Sequence, residues 1–215
     1  MPSLADKLKS LGVKVGTSHL ASRPPEIASH TIDSVVAGSF LSTPRGEAFV
    51  AEQIFEKDYL HGKVSHLPSF PLSLISEWAN DPRISNLPIS KFAFLDTETS
   101  GMAGGTGTYA FLVGAARFVD GKFVLQQFFL RDPSEEPAML EALIHFLAPC
   151  EALVTFNGKS FDAPLLVTRY SLHGIPVPFK NYAHIDLLPL ARRLWRDRLP
   201  SRALKYLEEH VLGFT

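Results

Sequence analysis

Residues 91–101 read Lys-Phe-Ala-Phe-Leu-Asp-Thr-Glu-Thr-Ser-Gly, and this stretch decides the fold that we expect. A short apolar run followed by a turn signal is typical of a buried strand. Alternate residues of a strand point to the same face, about 7 Å apart, so Asp96 and Glu98 project together from the strand end. Neighbouring carboxylates repel each other unless a cation or a proton lies between them. The stretch therefore favours a metal site of the nuclease type, although acidic pairs after strands also cap helices and close turns.

The composition is that of an ordinary globular protein. The chain has 215 residues, of which 46% are hydrophobic and 20% are charged, and its formal net charge is −1. This charge gives no overall basic field, which argues against a protein that coats nucleic acid. A local basic patch beside an acidic site is still compatible with an enzyme. Cys150 is the single cysteine, which excludes a disulfide framework and a cysteine-based zinc cluster. With no apolar run of about 18 residues and no secretory signal, we expect a cytoplasmic protein that does not bind membranes.

The first 90 residues show a less regular pattern of strands and helices than the rest of the chain. The sequence there has leucines at helical spacing over 4–11 and a proline-containing break at 22–25. It also predicts a strand over 46–55 and a short helix over 72–78. We interpret residues 1–90 as an N-terminal extension of unassigned role that packs on a domain formed by residues 91–215.

From residue 91 the pattern predicts an α/β fold with a mixed sheet flanked by helices. The predicted strands and helices occur in this order: strands 91–96, 109–118 and 123–130, helix 137–147, strand 152–156, helix 161–172, strand 182–186, and helices 187–195 and 202–212. Asp120-Gly121 is a strong two-residue hairpin signal, so the first three strands form an antiparallel meander. The first helix permits a right-handed crossover, which makes the fourth strand a parallel neighbour of the first.

A second segment with a candidate carboxylate ligand follows the fourth strand, where residues 156–162 read Phe-Asn-Gly-Lys-Ser-Phe-Asp. We call residues 96–98 and 156–162 the first and the second acidic station. Ser160 is a candidate N-cap, and Asp162 falls in the first turn of the next helix. An acid there also interacts favourably with the helix dipole, which is the structural alternative. If the two strands are neighbours, at about 4.8 Å, Asp162 approaches Asp96 and Glu98. Three converging carboxylates suit Mg²⁺ or Mn²⁺.

The two acidic stations together resemble the first two motifs of the DEDD 3′–5′ exonucleases, within the ribonuclease H-like superfamily. The second motif of that family is an Asn followed by an aromatic-Asp pair, as in Asn157 to Asp162. Within the family, residues 30–215 look like the bacterial YprB-like branch, which also carries a block similar to residues 184–195.

The resemblance implies hydrolysis of phosphodiester bonds at a single-stranded DNA or RNA end by two metal ions, Mg²⁺ or Mn²⁺. Asp96 would bridge both ions, Glu98 would bind the ion on the nucleophile side, and Asp162 would bind the other. We expect five further residues to contact the substrate: Thr97, Thr99, Asn157, Lys159 and Phe161.

The chain departs from the family at the fourth carboxylate, which the family carries on a later helix after a Tyr or His. No such arrangement follows Ala203, so we expect either a domain that lacks its C-terminal end or a diverged site with impaired turnover. Asp186 is an internal candidate for a metal ligand. The alternative function is a nucleic-acid-binding module that keeps the fold without turnover; protein partners are unknown.

Overall fold

The structure, a computed structural model, describes residues 31–68, 71–101 and 107–214. The predicted helical spacing over 4–11, the break at 22–25 and most of the glycine-rich loop 101–107 lie outside the described residues. None of the helices in the described ranges is long and apolar enough to cross a lipid bilayer.

Nine strands and five α-helices form the described part of the chain. The strands are β1 Ser39–Thr43, β2 Gly46–Phe55, β3 Leu60–His61, β4 Val64–Ser65, β5 Phe92–Thr99, β6 Ala110–Val119, β7 Lys122–Phe129, β8 Ala152–Thr155 and β9 Ala183–Asp186. The α-helices are α1 Ser73–Ala79, α2 Glu136–Leu147, α3 Asp162–Leu172, α4 Leu187–Leu194 and α5 Leu204–Leu207. Short 3₁₀ turns cover Ile32–Ser34, Pro82–Asn86, Ile89–Lys91 and Pro133–Glu135, and a π-helical turn covers Glu208–Leu212.

Seven strands form one mixed sheet in the order β1-β2-β7-β6-β5-β8-β9, and β3 and β4 form a separate hairpin. The strands from β1 to β5 in this order pair antiparallel, whereas β5, β8 and β9 pair parallel. The crossover prediction is confirmed, because Phe92 of β5 pairs with Ala152 of β8. The α/β fold with antiparallel and then parallel strands, as predicted, brings the ends of β5 and β8 to the same edge of the sheet.

Two strands of this sheet come from the region interpreted as an extension. β2 covers the residues predicted as a strand, and it pairs with β7 from Phe49 to Phe55. Its burial pattern is not a strict alternation, since four consecutive residues from Ala48 to Ala51 are buried. Residues 39–55 thereby lengthen the antiparallel part of the sheet beyond the three strands of the predicted meander.

The two faces of the sheet are covered differently. One face carries the larger core, in which α2 and α3 pack through Leu143 and Leu166 against Ala93 and Leu95 of β5. The opposite face carries a smaller cluster that contains Phe92 and Ile185, with residues of α1 packed against it. Because this second cover is partial, the part of the face beside β5, β6 and β7 stays open as a cleft.

Three local predictions needed correction. β5 continues to Thr99 instead of ending at Asp96, because its pairing with β6 persists through a bulge between Glu98 and Thr99. The last helix is a four-residue α5 followed by the π-helical turn, which ends at Gly213 in the left-handed conformation that favours glycine. Ser160 does not cap α3, whose N-cap position is Phe161 without a side-chain hydrogen bond.

Candidate active site

Asp96 and Glu98 lie on the open face of the sheet, at the end of β5. Strand alternation explains their position, since Phe92 and Phe94 precede them on that side while Ala93 and Leu95 enter the larger core. Both carboxylates line a cleft of about 530 Å³ whose other walls are mainly apolar. The prediction that both side chains project together from a core strand is therefore confirmed.

Gly114 of β6 keeps this cleft open beside Asp96. The two residues are direct cross-strand partners, and Gly114 lines the cleft. A Cβ atom built at Gly114 would meet only the Asp96 carbonyl oxygen, at 3.9 Å, which is ordinary van der Waals contact. The position thus has room for a side chain, and any large one would take up the space next to the carboxylate.

Asp162 approaches the strand end from the other side. It is the first residue of α3, it is 6% exposed, and its Oδ1 atom accepts a 2.5 Å hydrogen bond from the Thr97 hydroxyl. Thr97 alternates with Asp96 and Glu98 along β5 and so faces the side that α3 covers. This bond therefore links Asp162 to Thr97, the residue that lies between Asp96 and Glu98 in the chain.

The surroundings of Asp96 disfavour its charged form. The pKa of Asp96 is raised, first because neighbouring protein atoms remove part of its hydration and then because the charges of Asp162 and Glu98 repel its own. A hydrogen bond from the Thr97 backbone N–H offsets part of this rise.

The chemistry of these donors fits a hard divalent cation, because carboxylate oxygens are the ligands that Mg²⁺ and Mn²⁺ prefer. However, no group of three or more His, Cys, Asp or Glu residues within ranges 31–68, 71–101 and 107–214 is arranged to hold a metal ion. The bond from Thr97 to Asp162 offers a physical reason, since it directs Oδ1 of Asp162 toward the covered side of β5.

Asp186 holds the backbone of residues 157–159 in the second acidic station through hydrogen bonds. Its Oδ1 atom accepts hydrogen bonds from the N–H groups of Asn157 at 2.7 Å and Leu188 at 3.0 Å, and its Oδ2 atom accepts one from Lys159 at 3.1 Å. The carboxylate therefore caps α4 and holds the turn between β8 and α3. Sequence reasoning considered Asp186 as a metal ligand and missed this role, although an Asp directly before a helix is an N-cap signal.

The turn that Asp186 holds has an unusual backbone. Asn157 adopts a positive φ of 70°, a conformation that Asn tolerates better than most residues. Gly158 packs so closely on Thr155 that a Cβ atom there would lie 2.5 Å from the Thr155 Cβ. The Asn-Gly pair in the motif is thus required by the tight approach of the turn to β8.

The residues expected to contact substrate are distributed around this edge. Thr97 is engaged with Asp162, and the Thr99 hydroxyl donates to the Gly101 carbonyl at 2.8 Å. Asn157 and Lys159 lie in the anchored turn, and the Lys159 side chain is exposed. Phe161 is 50% exposed, which leaves its ring free to stack on a base.

A buried ionic network supports α3 behind the site. Glu136, 2% exposed, accepts hydrogen bonds from Arg169 Nε at 2.7 Å and from Arg169 Nη2, and it lies 2.6 Å from His173 Nε2. Burial alone would raise the pKa of Glu136, but the hydrogen bonds and charges of Arg169 and His173 outweigh it and hold the pKa below its ordinary value. Arg169 also reaches the Thr108 carbonyl. The network, which no sequence motif indicated, ties α2 to α3 and to the segment entering β6.

Glu208 is a further carboxylate on the wall of the cleft. It belongs to the π-helical turn, and its Oε1 atom lies 3.3 Å from His61 Nε2. The contact directs this carboxylate toward the β3–β4 hairpin.

The comparisons with known proteins agree with the fold. The sequence model of a family described as the RNase_H superfamily matches residues 93–215, more than half of the chain. The chain is similar to uncharacterized protein YprB of Bacillus subtilis (strain 168), with 38% identity over 123 residues. The matched part covers 56% of this chain and 29% of the relative, so it spans under a third of the relative's length. The predicted ribonuclease H-like, YprB-like character is confirmed, and the chain belongs to the RNase H superfamily.

Proposed function

We propose that this protein is a metal-dependent 3′–5′ exonuclease of the DEDD type, acting on single-stranded DNA or RNA ends. The observation that carries the proposal is geometric: Asp96 and Glu98 line one cleft at the end of β5, and Asp162 is hydrogen-bonded to Thr97, the residue between them. Membership of the RNase H superfamily makes nucleic acid the expected substrate and a phosphodiester bond the expected target.

Asp96, Glu98 and Asp162 would hold Mg²⁺ or Mn²⁺, which when bound would activate a water molecule and stabilise the charge that develops on the leaving oxygen. The Thr97 hydroxyl donates to Oδ1 of Asp162 and so links Asp162 to the strand that carries Asp96 and Glu98. The missing side chain at Gly114 leaves room for a phosphate group next to Asp96.

The second acidic station has its own support. Asp186 fixes the backbone of the turn that leads into Asp162, and Asn157 and Lys159 are held by that anchor. Lys159 and Phe161 are exposed in the segment that leads into Asp162, where they offer a positive charge and an aromatic ring. Both groups suit the backbone and the bases of a single strand.

A nucleic-acid-binding module without turnover is the second candidate. It is favoured by the finding that the carboxylates of the described residues are not grouped to hold an ion. The same superfamily membership and the same exposed groups, Lys159 and Phe161, are compatible with binding alone.

The test is a degradation assay with single-stranded DNA and RNA labelled at either end, in Mg²⁺, in Mn²⁺ and in EDTA. We expect metal-dependent loss of nucleotides from the 3′ end, and a decrease of at least about 100-fold in rate for Asp96→Asn, Glu98→Gln and Asp162→Asn, as for removed electrostatic groups at an active site. Asp197→Asn is the matched control, since Asp197 is an exposed aspartate that lines neither described cavity.

The outcomes separate the two candidates. Degradation that survives Asp96→Asn would reject the assigned site. Binding of the labelled strands without degradation in either metal would favour the binding module. Metal affinity, measured by calorimetry with Mn²⁺ alone, gives a readout that does not depend on turnover.

A further inference from the structure

A second cavity, of about 310 Å³, lies between α1 and α4, and its size falls in the range of small-molecule sites, roughly 300–1,000 Å³. Helical spacing builds its two walls, with Ile75, Trp78 and Ala79 from α1 opposite one stripe of α4. We call it the α1–α4 cavity. Lys159 lines it as well, so the cavity reaches the turn that precedes Asp162.

The charged side chains of the α1–α4 cavity favour an anion. Lys159 and Arg193 line it, both are exposed, and neither forms an ion pair with a carboxylate in the described part of the chain. Two cations near one cavity match the charge of a phosphate group.

The nearby carboxylates leave the cations of this cavity in excess. Asp186 also lines the cavity and keeps its negative charge while its two oxygens accept three backbone N–H bonds, so the lining carries two cations and one carboxylate. Asp81 is close enough to Lys159 to have its pKa lowered by it, yet the main cause of that lowering is Arg83, which binds the Asp81 carboxylate at 2.7 Å. Both acids are therefore committed to other partners.

An exposed aromatic ring completes the cavity. Trp78 is 43% exposed and is the aromatic residue of the cavity wall, whose uncharged remainder is aliphatic. An indole ring and two cations around one cavity combine the elements that bind a nucleotide of a single strand, since every base can stack on an aromatic ring and its phosphate interacts with Lys or Arg. A protein surface that bound acidic peptides would need the cations but not the ring.

We propose that the α1–α4 cavity binds one nucleotide of a single-stranded nucleic acid, with its phosphate at Lys159 and Arg193 and its base on Trp78. The inference rests on the proposed function for its substrate class and extends it to a subsite. Trp78 lies outside residues 93–215, the part that matches the superfamily, so α1 gives this chain a contact that its superfamily domain does not contain.

The test measures binding without turnover. The full chain is titrated in EDTA with a fluorescein-labelled ten-residue thymidine strand, and anisotropy gives the Kd. We expect Trp78→Ala to weaken binding roughly 5- to 150-fold, the range for one lost base–aromatic stack. We expect Trp78→Phe, which keeps a ring, to restore much of the affinity and to guard against a folding defect.

The charge at Arg193 is tested by salt dependence. Loss of one phosphate contact should make the slope of log Kd against log salt shallower by about 0.7 for a single strand. Arg193→Gln should show this change, whereas Arg192→Gln should not, because Arg192 is the exposed neighbour that does not line the cavity.

A strand of ten abasic sites identifies the base contact. Trp78→Ala should not weaken binding of that strand, because it has phosphates but no bases to stack. Equal weakening for both strands, or unchanged binding of the thymidine strand, would overturn the inference. Competition by polyglutamate as effective as by the thymidine strand would also overturn it in favour of an acidic protein partner.

The subsite and the active site can fail separately. If degradation is absent in every metal but binding depends on Trp78, the proposed exonuclease activity is wrong and the subsite stands. If degradation depends on Asp96 while the KM and Kd of Trp78→Ala equal those of the unaltered protein, the activity stands and the subsite is wrong.

Discussion

Replacing Asp186 is the sharpest way to test how the second acidic station is held. The carboxylate accepts two N–H bonds at Oδ1, from Asn157 and Leu188, and one at Oδ2, from Lys159. Asp186→Ala removes both acceptor atoms and with them all three hydrogen bonds. Asp186→Asn keeps the oxygen that serves Asn157 and Leu188, but it places an NH₂ group opposite the Lys159 N–H, so one bond is lost and two donors face each other.

The magnitudes follow from these bonds. A hydrogen bond to a charged group contributes about 1.5–3 kcal/mol when its donor is buried, and loss of a helix N-cap costs about 1 kcal/mol. The exposed Lys159 N–H regains part of its loss from water. We therefore expect the free energy of unfolding to fall by about 3 kcal/mol in Asp186→Ala and by about 1 kcal/mol in Asp186→Asn.

Urea denaturation followed by circular dichroism measures both differences, and the same variants are then assayed for degradation of a labelled strand under folding conditions. If Asp186 only anchors the turn, Asp186→Asn should keep most of the activity while Asp186→Ala loses much of it. A nearly inactive Asp186→Asn of unaltered stability would refute the anchor and would restore Asp186 as a metal ligand. Asp197→Asn, in an exposed position, is the control.

Three other substitutions test the surrounding structure. Glu136→Gln should lower the free energy of unfolding by about 3 kcal/mol, because it weakens a buried ion pair with Arg169. Because the pKa of Glu136 is lowered in the folded state, its contribution is complete above the unfolded pKa of about 4.3 and is lost as the pH falls through the lower folded pKa, so acid unfolding curves of Glu136→Gln should be shallower. Gly114→Leu should slow degradation while thermal unfolding stays close to that of Gly114→Ala, and equal activity of the two variants would contradict a cleft that needs space beside Asp96. Thr97→Val should cost about 1–2 kcal/mol, measured by urea denaturation, since it leaves the buried Asp162 without its hydroxyl donor, and an unchanged stability would contradict the importance of that bond.

The sequence predicted the part of the fold that depends on local pattern. Local sequence determines three such elements: the strand before Asp96, the hairpin turn at Asp120-Gly121 and the helix over residues 137–147. The crossover rule then placed the fourth predicted strand beside the first, which the pairing of Phe92 with Ala152 confirms. Element ends were less predictable, because a strand such as β5 continues for as long as its partner does.

Side-chain contacts such as the Glu136–Arg169 ion pair, between helices that are distant in the chain, had no signal in the sequence. Glu136 and Arg169 are 33 residues apart and meet only because α2 and α3 pack on one face of the sheet. Trp78 belongs to no sequence motif, and it shares a cavity with Lys159 because α1 packs against the cluster that contains Ile185 of β9. A residue that acts through such a contact has no spacing rule to identify it.

The sequence by itself determined which groups lie at the end of β5, since alternation alone places Asp96 and Glu98 on one side and Thr97 on the other. Tertiary structure decided what those groups face. The approach of α3 gives Thr97 its bond to Asp162, the β9–α4 junction turns Asp186 into an anchor, and the partial cover of the second face leaves the cleft open. The physical reason is that side-chain direction is a local property of the backbone, whereas the partner of a side chain is set by packing between elements that are far apart in the chain.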